Sequence, residues 1–242
     1  MSEDANKDLF QAAGQIWNLA LKIKVGNIPN EDWAHCLAGV QRKQMGLYQA
    51  CCKLCAEGLA LEAQILERTM FMLWGYLNEM KNASTPTEFA RLWLIWDYAN
   101  QEKNIRPLLS LHPENKDVQA QIQRLEQKTA ADKSKMGKDW DRFMYCGPAL
   151  KTPTQIAKDL DPSVKTYFHD ISGTVHGYDL WSFAKYPSND DPGGLVSETC
   201  AHVPISIMRY LGLSVLIINE SLNFHKDSEI TALIDILQKI DN

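Results

Sequence analysis

Along almost the whole chain apolar residues recur at intervals of three and four, the spacing that gathers them on one face of an α-helix. Near the C-terminus Ile230, Leu233, Ile234, Leu237 and Ile240 form one such stripe. The stretch LALEAQILERTMFMLWGYL (Leu59 to Leu77) is apolar over a wider arc, with Glu62, Glu67 and Arg68 on or near its margin. That pattern predicts a helix packed on several sides at once. No segment alternates apolar and polar residues between turn signals, so no strand is predicted. Helices are expected over 5–24, 30–56, 59–81, 86–112, 114–136, 153–160, 162–176, 203–224 and 228–241. The fold class is all-α, a single-domain helical bundle of about eight helices spanning 1–242, in which the first helix (5–24) is free to stand at the periphery.

The start signals agree with the periodicity. TPTEFA (Thr85 to Ala90) and TPTQIA (Thr152 to Ala157) each place Thr at the N-cap, Pro at the first helical position, and Glu88 or Gln155 where its side chain can return to the cap. Asp161-Pro162 offers a third such start, and Asn30 and Ser228 are plainer caps. Two stretches are expected to be irregular. One is 137–152. The other is a loop over 178–199, where Pro187, Pro192, Gly193, Gly194 and a run of Asn and Asp act against regular structure. A loop of that length often carries function.

Composition narrows the class. The 242 residues are 45% hydrophobic and 23% charged, with a formal net charge of -5. This acidic balance argues against a general nucleic-acid coat or a basic membrane-surface protein. KTAADKSKMGKDWDR (Lys128 to Arg142) concentrates lysines, but its aspartates dilute them, and the run reads as a solvated face. The apolar VPISIMRYLGLSVLII (Val203 to Ile218) is short for a bilayer and carries Arg209, so it reads as a buried core helix. MSEDANKDLF lacks the apolar centre of a secretory leader, and the 6 cysteines are then expected as reduced thiols in a cytoplasm. Cys51, Cys52 and Cys55 have no second Cys or His pair to complete a zinc site, so they are expected to pack a core, with no metal and no cofactor.

The densest chemistry lies in YFHDISGTVHG (Tyr167 to Gly177). On a helix from Pro162, His169, Ser172, Gly173 and His176 share one face, with Tyr167 and Asp170 beside it. Two readings of that face stand side by side. In one, His176 is an acid or base oriented or activated by Ser172, and Tyr167, His169 and Asp170 bind. In the other, the face is a polar seam whose side chains satisfy one another. Arg209, inside an apolar helix, is expected to need an anion, with Asp170, Glu62 and Glu67 as the available carboxylates. Beside the histidine face it would make a pocket for phosphate.

LERTMFMLWGYL, AKDLDPSVKTYFHDISGTVHG, the long loop and the final apolar helix together resemble a widespread family of uncharacterised bacterial all-helical proteins, a domain of unknown function with a Tyr…Ser-x-x-x-His-Gly segment. The resemblance covers roughly residues 40 to 225. It implies that Arg68 matches the family's helix arginine, and that Tyr167, Ser172, His176 and Gly177 match its later segment. Met72 stands where that family carries a Glu. The architecture is similar to HEPN-type proteins, many of them metal-independent RNases of toxin and phage-defence systems with an Arg-x(4–6)-His motif. RPLLSLH (Arg106 to His112) has that spacing, with Pro107 where a polar residue is usual.

The leading expectation is a HEPN-like protein that binds or processes RNA or a nucleotide, as a homodimer, with no membrane role. Arg68 and His176, or alternatively Arg106 and His112, would stabilise phosphate charge and shuttle protons. A second expectation is a non-catalytic interaction or antitoxin-like protein. A third is a DNA-binding regulator, in which 152–176 has the cadence of a helix-turn-helix with Lys165 as its one basic recognition residue.

Overall fold

A computed structural model of the chain describes residues 3–22, 30–57, 59–160, 193–222 and 227–241. Among these the chain is all α-helical: α1 (Glu3–Lys22), α2 (Asp32–Ala56), α3 (Ala60–Lys81), α4 (Pro86–Leu111), α5 (Lys116–Met136), a 3-10 turn (Gly137–Asp139), α6 (Trp140–Cys146), α7 (Pro153–Leu160), α8 (Gly193–Leu222) and α9 (Asp227–Asp241). The bundle expected from the apolar spacing is therefore present. Residues 161–192, which include the third start signal and the histidine-bearing stretch, lie outside the described residues.

The centre is a triangle of α2, α3 and α8, each packed on the other two. Two apolar clusters run along it. One joins Met70 and Phe71 of α3 to Ile207, Met208 and Leu211 of α8, and is closed by Ile16 of α1 and Leu233 of α9. The other joins Leu77 and Met80 of α3 to Ile218 and Leu222 of α8, Leu37 of α2, and Phe89 and Trp93 of α4. The wide apolar arc read on Leu59 to Leu77 is thus a helix buried on several sides. Ile16 and Ala20 are fully inside, so α1 belongs to the core and is not peripheral. On α9 Leu233 and Leu237 are buried, whereas Ile234 stands at the exposed margin of its stripe.

Two boundaries differ from expectation. The segment 137–152 contains α6, which seats Phe143 and Cys146 in the interior. Gly137 (φ 52°) ends α5 and Gly147 (φ 72°) ends α6, each in the left-handed region where a side chain would be strained. A Cβ on Gly147 would also lie 2.7 Å from the Tyr76 hydroxyl. The second difference is α8, which begins at Gly193, so residues 193–199 of the expected loop are helical. Glycine costs little in a first turn, whose N–H groups have no intrahelical partner. The apolar spacing also continues backwards through Val203, Cys200 and Val196. Val203–Leu222 is long and apolar enough to cross a membrane by length and composition, but 56% of its most apolar window is buried inside the bundle, as in a core helix.

The two related start signals diverge. At Thr152 the capping box closes: the Gln155 N–H donates to Thr152 Oγ1 (3.3 Å) and the Thr152 N–H to Gln155 Oε1 (2.7 Å). At Thr85 it does not, because Glu88 is taken by Arg91, whose Nε and Nη2 donate to it at 2.7 and 2.9 Å. Glu31, not Asn30, is the cap of α2.

Helix α7 lies directly on α3. A Cβ on Gly75 would come within 2.8 Å of Ile156 Cγ2, so only glycine lets the two helices approach this closely. Gly75→Val is expected to cost about 1–3 kcal/mol by overpacking, measured by urea unfolding. If stability were unchanged, the α3–α7 contact would be looser than the structure has it.

Candidate functional site

Sequence spacing placed Glu67 at the margin of α3, but it is fully buried. Ala63, Glu67, Met70 and Phe71 fall at intervals of four, three and one, so position 67 belongs to the apolar face. That spacing was the available signal. Its carboxylate lies within electrostatic reach of Cys51 on α2 and Tyr210 on α8. Burial pushes the Cys51 thiol and the Tyr210 phenol well above their ordinary ranges, and the Glu67 charge adds to both shifts. Cys51, Cys52 and Cys55 pack in or against the main core cluster, and a thiol held neutral in this way is a poor nucleophile and metal ligand. Among the described residues no group of three or more His, Cys, Asp or Glu side chains is placed to hold a metal.

Other polar groups follow the same triangle. Gln44 is fully buried, and its Nε2 donates to Met70 O and Ser214 Oγ, both at 2.9 Å, joining α2, α3 and α8. Gln44 continues the apolar series Leu37, Val40, Tyr48 and Cys51, so it too could have been placed inside from spacing. The seam serves register: a buried amide is stable only where its partners are.

Arg68, next to Glu67, is half-buried on α3. Gly75 follows it by seven positions and Met72 by four, so all three share the face on which α7 lies. Helix α7 crosses that face near Gly75, with Lys151 bonded to both Glu79 of α3 and Asp159 of α7 (2.9 Å). Lys151, just before it, bonds Glu79 at 2.8 and 3.0 Å, and Ile156 and Leu160 then meet α3 at Gly75. Leu160, the last described residue before 161, meets α3 at Gly75, which lies about 10 Å along the helix axis from Arg68 at 1.5 Å per residue.

The other predicted positions are distributed as follows. Arg209 is exposed on α8, so the guanidinium expected inside the helix is directed outward, with Tyr210 and Met208 taking the buried positions beside it. Tyr167, His169, Asp170, Ser172 and His176 lie outside the described residues. Arg106 and His112 are both exposed at the far end of α4. Arg106 donates to Glu126 at 2.6 Å and also to Glu102, and these hydrogen bonds hold its pKa above the ordinary value. His112 caps the end of α4, with Nδ1 3.8 Å from Glu114. The guanidinium that the Arg-x(4–6)-His spacing would assign to phosphate is thus paired on the surface with two carboxylates.

Arg106 also lines an open groove of about 900 Å³ between α4, α5 and α6. Its walls carry Glu102, Lys103 and Arg106 from α4, Glu126 and Lys133 from α5, and Trp140, Asp141 and Met144 from α6. Lys133 Nζ stands 5.9 Å above the Trp140 ring. Helix α5 is fixed to α4 by Arg91, which also donates to both oxygens of Asp132 at 2.7 and 2.9 Å. Sequence reasoning passed over this groove because its residues come from three helices and form no motif.

Comparison of the chain with protein-family models, with curated proteins and with solved structures finds no match in any of the three.

Proposed function

We propose that the chain binds RNA or a nucleotide and acts on it as a metal-independent RNase of a toxin or phage-defence system, as a homodimer. The single observation that carries this reading is the course of α7. It meets α3 at Gly75, seven positions after Arg68 on the same helix face, and the residues that follow it in sequence include Tyr167, Ser172 and His176. A phosphodiester cleavage needs a cation at the developing phosphate charge and a group that moves a proton. Arg68 supplies the first, and His176 supplies the second with Ser172 to orient it. Arg106 and His112, exposed at the far end of α4, are the alternative pair for this role.

The test is RNA cleavage by the purified chain in EDTA, with Arg68→Ala, His176→Ala and His112→Ala alongside. Arg68→Ala and His176→Ala are expected to lose about 10²-fold in rate, and His112→Ala to keep full activity. Wild-type protein that cleaves none of several RNAs at high concentration would sink the catalytic reading.

The second reading, a non-catalytic interaction or antitoxin-like protein, has its own observation. At the tip of the α4–α5 hairpin Leu111 is 71% and Leu108 47% exposed.

A further inference from the structure

We propose that the cavity where α2, α3, α4 and α8 meet at one end of the bundle binds a free apolar α-amino acid, with its side chain against Trp33 and its two charges on Lys81 and Glu220. The inference goes beyond the RNA reading above and does not depend on it.

The cavity lies where α2 and α4 begin and α3 and α8 end. It holds about 260 Å³, below the roughly 300–1,000 Å³ of sites for drug-sized molecules, so it suits a smaller ligand. Its floor is Leu37 and Met80, both fully buried. Trp33, one turn before Leu37 on α2, forms a wall. The Trp33 Nε1 already donates to Glu31, so the indole has only apolar surface left to offer. A ligand gains by entering only if it carries an apolar body to bury there. An inorganic anion or a bare cation does not.

The rim supplies the charges. Lys81 Nζ and Glu220 Oε2, which both line the cavity, stand 2.8 Å apart with side chains 47% and 65% exposed. A pair so open to water is worth little, so a ligand can take the place of each partner for the other without a large loss. To do so it must bring one negative and one positive charge, as close together as these two. A lone anion would leave Glu220 unmatched, and a lone cation Lys81. An α-amino acid carries its ammonium and carboxylate on one carbon and meets that condition. The helix ends at the rim favour one orientation. Thr87 lies in the first turn of α4, whose cap Thr85 makes no side-chain bond, and Ser221 lies in the last turn of α8. The carboxylate is thus directed to Lys81 and Thr87, and the ammonium to Glu220 and Ser221. The apolar side chain is left for Trp33, Leu37 and Met80.

The experiment is isothermal titration calorimetry of the full chain at neutral pH with L-leucine and L-phenylalanine, and with analogues that each lack one feature. Leucinamide lacks the carboxylate, 4-methylpentanoate the ammonium, and glycine the apolar body. At least one of the two amino acids is expected to bind. Each analogue is expected to bind about tenfold more weakly or worse, the loss for one hydrogen-bonded charge or one buried side chain. Leucinamide also stands for a peptide N-terminus and N-acetyl-leucine for a peptide C-terminus, so weak binding by both assigns the free amino acid. Glu220→Gln and Lys81→Met, at exposed positions, are expected to weaken binding about tenfold each with the thermal midpoint nearly unchanged. Thr87→Trp, which fills the mouth from an exposed position, is expected to abolish it. The proposal is overturned if neither amino acid binds at about 10 mM, where even a millimolar site is well filled. It is equally overturned if leucinamide or N-acetyl-leucine binds as well as leucine, or if both charge variants bind as the wild type does. RNA cleavage is a separate readout, so failure of this site leaves the RNase reading untouched, and failure of the RNase leaves this site.

Discussion

Phe71→Ala is expected to lower the stability of the chain by about 3–5 kcal/mol, the range for emptying a phenylalanine site in a packed core. Phe71 is 1% exposed. Its ring meets Tyr210 at 5.6 Å and 74°, and Trp74 at 5.8 Å and 68°, while Trp74 and Tyr210 stack on each other at 5.5 Å. One side chain therefore joins α3 to α8 through its contact with Tyr210. Against a total stability of about 5–15 kcal/mol, such a loss would leave a visible unfolded fraction in mild denaturant. Urea unfolding followed by circular dichroism measures it, and Phe71→Leu, which keeps most of the volume, should cost less than half as much. A loss under about 1 kcal/mol for Phe71→Ala would mean that the α2–α3–α8 triangle can collapse around the gap, contrary to dense packing. Phe71 follows Arg68 by one turn, so the same substitution should also disorder the Arg68 face.

The importance of α3 was legible in the chain because periodicity reports burial, and few other helices here are apolar on so wide an arc. What periodicity reports less well is a polar residue on the buried face. Glu67, Gln44 and Asp132 each occupy a position that spacing assigns to the interior, yet residue type suggests solvent. Their burial becomes intelligible only with their surroundings: Gln44 bridges three helices, and Asp132 meets Arg91. Arg209 shows the opposite case. It sits in an apolar run, but a helix has an outer face, and the run merely narrows that face to a few positions. The short α6 was hidden for a different reason, since seven residues carry too little periodicity to identify a helix. Its bounds follow from Gly137 and Gly147, whose positive φ ends α5 and α6. The groove could not be read at all, because proximity between α4, α5 and α6 is a property of packing and not of any one segment.

Arg91→Met is expected to destabilise the chain by removing the partner of buried Asp132. Arg91 holds Asp132 and Glu88 together, and its hydrogen bonds depress both carboxyl groups below their ordinary values of 3.8 and 4.5. The Asp132 side chain is 12% exposed and that of Glu88 44%, so the pair with Asp132 carries most of the energy and the screened pair with Glu88 little. Removing the arginine strands a buried carboxylate, which is expected to cost about 2–3 kcal/mol at neutral pH. The pH dependence has a definite sign. A depressed carboxyl stabilises the fold fully above its ordinary value, and that contribution is lost as pH falls through its lowered folded value. The gap between wild type and Arg91→Met should therefore be widest near pH 7 and close as pH falls below about 4, read as the urea midpoint at each pH. A gap that stays constant down to pH 2.5 would mean that the arginine acts by packing its stem and not by its charge. Arg91→Met combined with Asp132→Leu should recover most of the loss, since two apolar groups replace a buried pair at little cost.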